Sequence, residues 1–435
     1  MSQNYPLKKL WNISNITYGK NLPIKDFKDS GFPVFWANWI IGFNDKYLFE
    51  NEMVLISCRW AASWKVNMSP KQCFITNNSL VLNLNETKDE HKKYIYYFLK
   101  TINKAEIVTW SAQPQVTINN VISLEIPLPP LPLQHLIVSE IEKQFSRLDD
   151  GLSSLLKIRQ NLKSYRASIL KSAVEGKLTE EWRKEQKDIE PASILLARIL
   201  EERKRKFLSE NPGKKYKEPE GIYPQNFPNI ELPEGWCFAK LDCITSKITD
   251  WFHNTPKVLH EWEHLYIMAT HVKDDHINYD SWMFVWEKDF NELYNKTRVE
   301  NWDILIVNIW AGTGDSALVK VDTKFVFKNV AILKPLVLDS KYLHIFIRSF
   351  KRDLTTRFSK WWAQPFLSLE VLRKLLIPLP PLSEQQKIVE EVEYRLSIVD
   401  ELEQTIEAGI KKAENLKQAI LKKAFNGELV KEEEK

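Results

Sequence analysis

The segment IPLPPLPLQHLIVSEIE at residues 126–142 decides the organisation of this chain, because it returns as IPLPPLSEQQKIVEEVE at residues 377–393. The repeat continues without a gap, since ASILKSAVEGKL at 167–178 matches QAILKKAFNGEL at 418–429. Such a long internal period indicates one structural unit written twice. Each unit consists of a globular domain, a proline-rich hinge and a long helix.

Both helices carry an apolar residue at every seventh position, which is typical of a coiled coil. The first series is Ile141, Leu148, Leu155, Leu162 and Ile169, and the second is Val392, Val399, Ile406, Ala413 and Ile420. We expect helices over 134–175 and 385–426, each ended by a glycine, Gly176 or Gly427. We also expect them to pack antiparallel within one chain, with the globular domains at opposite ends. A coiled coil that serves only for oligomerisation is the alternative.

The globular domains are predicted to be α+β domains with sheet cores and long functional loops. Their upstream parts also match, since NEMVLISCRWAAS at 51–63 resembles NWDILIVNIWAGT at 301–313. The predicted strands are MVLIS (53–57), SLVLNL (79–84), ILIVNI (304–309) and KFVFKNVAIL (324–333), and the predicted helices are 89–103 and 340–350.

Five segments follow from the repeat. They are a first globular domain at 1–125, a first hinge and helix at 126–178, a bridging helix and linker at 179–235, a second globular domain at 236–376, and a second hinge and helix at 377–435. The resulting fold class is α+β, with two similar domains separated by two long antiparallel helices and an internal pseudo-two-fold repeat.

Composition narrows the class of protein. With 435 residues and 44% hydrophobic residues, the chain has material for two to three domains with real cores. The chain contains no run of about 18 apolar residues, the length needed to span a membrane, and we expect no signal peptide because the start MSQNYPLKKLWNIS lacks an apolar core. Four cysteines without a CxxC pair predict reduced thiols in a cytoplasmic protein. The net charge of +4 neither requires nor excludes nucleic acid as a partner.

The doubled hinge resembles that of the specificity subunit of type I restriction-modification systems. The matching residues are PLPPLPLQ and PLPPLSEQ, a helix end of the form ILKxAxxGxL in both halves, AQP before each hinge, LPEGW at 232–236 and AGTGDSALV at 311–319. The resemblance covers essentially the whole chain. It implies two target-recognition domains that each read one part of a split, asymmetric DNA sequence.

The same resemblance implies the partners. They are double-stranded DNA, two methylation subunits bound to the spacer helices 134–175 and 385–426, and restriction or translocase subunits. S-adenosylmethionine is expected in the methylation partner, and this chain is expected to bind no cofactor and no metal and to have no catalytic residues. Half-site spacing would then follow from helix length.

Candidate DNA contacts are polar loop residues beside aromatic residues. Arginine suits guanine and Asn or Gln suits adenine, whereas lysine more often binds phosphate. The candidates are Tyr18, Lys20, Arg59, Lys65 and Gln113 in the first domain, and His253, Asn254, Lys257, His271, Asn308 and Gln364 in the second. Ordinary solvated loop residues are the alternative at each position.

Two short motifs suggest catalysis. HEWEH at 260–264 matches the zinc-hydrolase signature H-E-x-x-H, but that motif needs a helix, and LYIM after His264 resembles a strand. AGTGDS at 311–316 has neither GxGxxG spacing nor a P-loop lysine, so we expect only a tight loop. No adenine-methylase motif is present, which assigns methylation to a partner.

Tryptophan is over-represented at the expense of glycine. The chain has 16 Trp and only 12 Gly, whereas average usage predicts about 30 Gly. Trp stands where members of the resembling family usually have Gly, a residue that permits positive φ. These positions are Trp36, Trp39, Trp60, Trp64, Trp110, Trp251, Trp302, Trp310, Trp361 and Trp362. They indicate either an aromatic surface for stacking or a chain altered from its natural form.

Overall fold

The computed structural model describes residues 5–59, 64–84, 89–103, 107, 115–219, 231–250, 258–259, 264–280, 283–309, 312–358 and 367–430, without the side chains of 89–91 and 352–358. The chain divides into two compact units. Unit 1 comprises Met1–Ile158 and Thr405–Lys435, and unit 2 comprises Arg159–Gln404. Each unit therefore contains one globular domain and one half of each long helix.

Unit 1 is an α+β unit built on short strands. Its strands are β1 (Leu7–Lys9), β2 (Ser14–Tyr18), β3 (Phe32–Trp36), β4 (Trp39–Asn44), β5 (Val54–Ser57), β6 (Val66–Met68), β7 (Phe74–Ile75), β8 (Ser79–Leu84) and β9 (Glu125–Pro127). Its helices are α1 (Leu10–Ile13), α2 (Asp89–Leu99), α3 (Ile118–Ile122) and the first half of α4 (Leu131–Val174), with a 3₁₀ turn at Ile24–Asp26.

Unit 2 has the same plan with additions. Its strands are β10 (Cys237–Lys240), β11 (Thr245–Asp250), β12 (His264–Met268), β13 (Val272–Lys273), β14 (His276–Ile277), β15 (Phe284–Val285), β16 (Ile304–Val307), β17 (Ser316–Leu318), β18 (Val326–Lys328), β19 (Val330–Pro335) and β20 (Leu376–Leu379). Its helices are α5 (Glu180–Glu185), α6 (Ala192–Glu210), α7 (Leu241–Ile244), α8 (Glu287–Thr297), α9 (Ser340–Phe358), α10 (Leu369–Lys374) and the first half of α11 (Leu382–Phe425), with a 3₁₀ turn at Ala269–His271.

The sheets of the two units correspond strand by strand. A four-stranded sheet has the order β2-β8-β5-β6 in unit 1 and β11-β19-β16-β17 in unit 2. A three-stranded sheet has the order β4-β3-β7 in unit 1 and β15-β12-β18 in unit 2. The pairs β1-β9 and β10-β20 join the start of each domain to its hinge. The internal repeat seen in the sequence is therefore a repeat of topology.

The β-type runs form strands because their side chains are buried on both faces, as in β5 and β16, whose residues are all buried. The predicted run at 324–333 divides into β18 and β19. The break falls at Asn329, which has a φ of 59°, a left-handed conformation that asparagine tolerates and that a continuous strand excludes.

The long helices match the heptad prediction closely. They begin at Leu131 and Leu382, three residues before the expected positions. In α4 the early start includes Pro132, which is tolerated because it lies in the first turn of the helix. Gly176 and Gly427 follow their ends with φ of 69° and 77°. The next amide hydrogens close the helix ends, from Lys177 to the Ser172 carbonyl and from Glu428 to the Lys423 carbonyl, both at 2.9 Å.

The helices run antiparallel in both units. In unit 1 a Cβ on Gly409 would lie 3.2 Å from Leu155 Cδ1, and the Lys417 ammonium pairs with Asp149. Residue numbers thus rise along α4 as they fall along α11. In unit 2 the Arg166 guanidinium pairs with Asp400 and, at 3.0 Å, with Glu403. Most of the predicted heptad positions are buried and the rest are half-buried, which confirms the coiled-coil seam.

Candidate nucleic-acid interface

The described candidates of unit 1 gather at one edge of its four-stranded sheet. Tyr18 ends β2 and pairs with Leu80, and Ser57 ends β5 and pairs with Ser79. The last residues of β2 and β5 therefore meet at the start of β8, which lies between them. Loops that leave a sheet at one common edge are the usual place for binding residues.

Four predicted side chains project from this edge. Tyr18 is 44% exposed, and Lys20, Arg59 and Lys65 are exposed as well. The Lys20 amide donates to the Ile75 carbonyl at 2.9 Å, and the Ser57 amide donates to the Lys65 carbonyl at 2.9 Å. One phenol and three cations are thus presented together, a combination suited to bases and phosphates.

The backbone of the edge is held from both sides. Arg59 forms a bridge with Gln115, and the Val116 amide donates to the Cys58 carbonyl at 3.1 Å. Gly19 lies so close to the neighbouring chain that a Cβ would be 2.2 Å from the Thr76 carbonyl oxygen. Only glycine fits there, so the loop that carries Lys20 is fixed by close packing.

Unit 2 has a polar pair at the corresponding edge. Asp250 ends β11 and pairs with Ala331, as Tyr18 ends β2 and pairs with Leu80, which lies 251 residues before Ala331. The Asn308 amide nitrogen, just after β16, donates to Asp250 Oδ2 at 3.3 Å. Asn308 is only 1% exposed, so in this position it supports Asp250 from below. A direct base contact by Asn308 stays a prediction.

His271 lies elsewhere in unit 2. It ends the 3₁₀ turn after β12, in the three-stranded sheet. Its Nδ1 accepts a hydrogen bond from the Met268 amide at 3.1 Å. Burial lowers the pKa of His271, which favours a neutral imidazole. With Nδ1 accepting, Nε2 carries the proton and can donate.

The remaining candidates, Gln113, His253, Asn254, Lys257 and Gln364, lie outside the described residues. Sequence reasoning missed Asp250. The sequence feature that could have identified it is the match between NITYG at 15–19 and KITDW at 247–251. This match places Asp250 where unit 1 has Tyr18.

The catalytic motifs do not form catalytic sites in the described residues. His264 opens strand β12, as the LYIM pattern predicted, and its ring stacks on Phe290 with centroids 3.9 Å apart. The zinc motif needs its two histidines one helical turn apart, whereas residues four apart in a strand are separated by roughly 13 Å. His260 lies outside the described residues. Among the described residues no group of three or more His, Cys, Asp or Glu could hold a metal ion. Residues 312–314 form the expected tight turn, with Gly312 and Gly314 at positive φ.

Four of the unusual tryptophans are described. Trp64 has a φ of 66°, and its amide donates to the Ser57 carbonyl at 2.9 Å. Gly314 makes the equivalent bond to the Val307 carbonyl at 2.8 Å with a φ of 88°. Trp64 is therefore at a glycine position, as proposed, and at 7% exposure it offers no stacking surface.

Trp302 also has a positive φ, of 71°. Trp36 and Trp39 make an edge contact with centroids 5.2 Å apart, and Trp39 is 49% exposed. A stacking role therefore remains open for Trp39. The other tryptophans in question, Trp60, Trp110, Trp251, Trp310, Trp361 and Trp362, lie outside the described residues.

Comparison with known proteins gives a consistent result in both halves of the chain. The family model described as the type I restriction modification DNA specificity domain matches residues 3–159 and 265–412. The specificity subunit of the type I restriction enzyme EcoBI of Escherichia coli is 25% identical over 365 residues, covering 81% of this chain and 69% of that protein. The EcoDI specificity subunit of the same species is 23% identical over 358 residues, covering 78% and 70%.

A solved structure supports the fold. It comes from work on complex assembly and conformational transition of the type I R-M system, with a TM-score of 0.64, 16% identity and 98% of each chain covered. Within the described residues, no helix is both long and apolar enough to cross a bilayer.

Proposed function

The chain belongs to the type I restriction modification DNA specificity family, and from this membership we propose that it is the non-catalytic subunit that recognises the DNA target of a type I restriction-modification complex. The observation that carries this function is the family match in both halves, on two units whose four-stranded sheets have the same strand order. A purely structural coiled coil would need neither sheet.

Each unit is proposed to read one half of a bipartite target. The two reading edges have the same backbone plan but different chemistry. Unit 1 presents Tyr18, Lys20 and Arg59, whereas unit 2 presents Asp250 above the buried Asn308. A carboxylate accepts from cytosine N4, whereas arginine donates to guanine. Two different half-sites, and so an asymmetric target, fit this difference better than a palindrome does.

The spacer helices are proposed to hold two methylation subunits, one on each half of the chain. Apolar side chains remain exposed on both helices, which favours protein partners. They are Leu136, Leu156, Ile158 and Tyr165 on α4, and Tyr394, Ile398, Leu402 and Leu416 on α11. Restriction or translocase subunits would join this core, and S-adenosylmethionine would bind to the methylation subunits.

Methylation mapping tests the function. A host that expresses the chain with its methylation subunit should gain one new split methylated sequence, and a host with the methylation subunit alone should not. Failure of the assembled complex to bind or methylate any DNA would favour a structural scaffold. Titration should give two methylation subunits per chain, and saturation at one subunit would contradict the stoichiometry.

Zinc-dependent hydrolysis through HEWEH is not supported. The described residue of that motif, His264, begins a strand, and its ring stacks on Phe290.

A further inference from the structure

Two helices of unit 2 have no counterpart among the described residues of unit 1, and both reach the edge strand β11. Helix α6 packs its buried Ala192, Leu195 and Ile199 on the unit 2 core, and the Arg203 Nε atom donates to the Thr245 carbonyl at 3.3 Å. Its last residue, Glu210, comes into electrostatic range of Lys247. Helix α8 ends beside the same side chain, because the Lys247 ammonium donates to the Lys296 carbonyl.

Arg298, just after α8, and Lys334 bring positive charge close to Lys247, and Glu210 of α6 brings negative charge. Lys247 and Arg298 are both exposed, the charge of Arg298 acts on Lys247, and we name these two residues the Lys247 patch. Arg298 ends α8 with a φ of 45°, and none of the described carboxylates is within ion-pair distance of its guanidinium. Partial desolvation, and then the nearby Lys334 and Arg298, lower the pKa of Lys247, while Glu210 opposes the shift. A bound anion would offset the electrostatic repulsion among these cations.

The neighbouring cation Lys334 is not part of the patch. Its ammonium is buried and pairs with Asp303 at 2.7 Å and with Glu300 at 2.9 Å, so its charge is already balanced within the fold. The local excess of positive charge therefore comes from the exposed Lys247 patch.

A bulge directs Lys247 outward. The register of β11 against β19 shifts between Thr245 and Lys247, whereas β2 of unit 1 pairs with β8 without a shift. Lys247 pairs with Lys334, and Asn15 of unit 1 pairs with Asn83, which lies 251 residues before Lys334. Unit 1 thus has a neutral residue in place of Lys247. Bulges next to functional sites commonly re-aim a side chain.

We propose that the Lys247 patch binds the phosphodiester backbone of DNA beside the half-site read by unit 2; this rests on the proposed function. Asp250 lies three residues along β11 from Lys247, which is about 10 Å at roughly 3.3 Å per residue. The patch is therefore within reach of phosphates that flank bases at the reading edge. Unit 1 has the neutral Asn15 at the equivalent strand position, so this contact is not repeated at that position of unit 1.

The chemistry fits a polyanion better than a small anion. A site for free phosphate usually offers converging backbone amide hydrogens at a helix N-terminus. The patch instead lies at the C-terminus of α8, an end that presents carbonyl oxygens rather than converging amide hydrogens. Long exposed side chains that meet a line of charges are typical of contacts to a DNA backbone.

The test compares salt dependence in the complex of the full chain with its methylation subunit. The variant Lys247→Gln/Arg298→Gln should bind target and non-target duplexes more weakly by the same factor. The slope of log affinity against log salt should fall by about 1 to 2, because each neutralised phosphate contributes roughly 0.9. The methylated sequence should not change, and Lys247→Arg should retain the wild-type slope.

The control is Lys184→Gln/Lys187→Gln, which removes the same charge from exposed positions of the bridging segment, outside the reading edges and the spacer helices. An unchanged slope in the patch variant, or an equal fall in the control, would overturn the proposal. A change in the methylated sequence would make the patch a base reader and overturn it too. Absence of DNA binding by the wild-type complex would instead overturn the proposed function, and the patch with it.

Discussion

The two hinges share a backbone hydrogen-bond pattern, but one has an apolar and the other a charged side chain at the same position. In both, a glutamine at the start of the long helix donates to the carbonyl of the residue five positions earlier, Gln134 to Pro129 at 2.8 Å and Gln385 to Pro380 at 2.9 Å. The residue before this glutamine differs, because Leu133 in unit 1 becomes Glu384 in unit 2. Leu133 packs on the apolar core of unit 1, as do Leu429 and Val430.

Glu384 is fully buried, and its carboxylate is saturated with hydrogen bonds. Oε1 accepts from Thr179 at 2.7 Å and from the Arg183 guanidinium at 2.8 Å, and Oε2 accepts from Trp236 Nε1 at 2.8 Å. The position before the hinge glutamine thus needs a side chain that fills it. An apolar Leu133 does so in unit 1, and a fully paired Glu384 does so in unit 2. The glutamine bond shared by both hinges belongs to the common fold, whereas the Glu384 hydrogen bonds are specific to unit 2.

The largest expected effect is on this buried carboxylate. Glu384→Ala leaves the Arg183 guanidinium and the Trp236 indole without their acceptor, so unit 2 should lose about 3–5 kcal/mol of free energy of unfolding. Urea denaturation measures it. The triple variant Glu384→Leu/Arg183→Leu/Thr179→Val replaces the buried charges with apolar side chains and should recover part of the loss, because only the Trp236 indole then lacks an acceptor. A loss below about 1 kcal/mol in Glu384→Ala would show that the charge pair does not hold the hinge.

The next effect depends on pH and is confined to unit 2. Desolvation by burial lowers the pKa of His344 to about 4, with Asp275 and Asp274 opposing and Arg348 adding to the shift. Unfolded histidine has a pKa of about 6.5, so the unfolded state binds the proton first. Stability is therefore present above about pH 6.5 and decreases by up to about 3 kcal/mol as the pH falls to 4.

Thermal unfolding between pH 4 and pH 7 checks this. His344→Gln should flatten the pH dependence of unit 2, whereas His135→Gln, at an exposed position of α4, should not. The corresponding position in unit 1 is Lys93, which pairs with Glu142 at 2.8 Å, so unit 1 should lack this acid sensitivity. An equal pH dependence in wild type and His344→Gln would refute the assignment.

The smallest effect concerns tryptophan at positive φ. A left-handed conformation costs a non-glycine residue about 1–2 kcal/mol, whereas truncating a buried Trp costs about 3–5 kcal/mol. At Trp64 the loss of buried contacts outweighs the relief of the left-handed strain, so Trp64→Gly should destabilise unit 1 by about 2 kcal/mol. Trp302 is 46% exposed, so Trp302→Gly should change stability by no more than about 0.5 kcal/mol, because the two terms nearly cancel. Equal losses at both sites would contradict this balance.

The periodic parts of the molecule were predictable from the sequence and the pairing-dependent parts were not. A heptad pattern identifies the buried face of a helix directly, so the ends of α4 and α11 were predicted to within three residues. The burial of Asn308 under Asp250 depends on β11 and β16 flanking β19, an arrangement of distant segments that no local pattern encodes. The same is true of Lys247 and α8, which meet only through the fold of unit 2.

The most direct measurement of modular recognition is a domain swap. Residues 1–125 would be replaced by the equivalent domain of a relative with a different target, and methylation would be mapped across a host genome. If each unit reads its own half-site and the helices set only the spacing, one half of the methylated sequence should change, while the other half and the gap stay the same. A change in both halves, or in neither, would contradict the account.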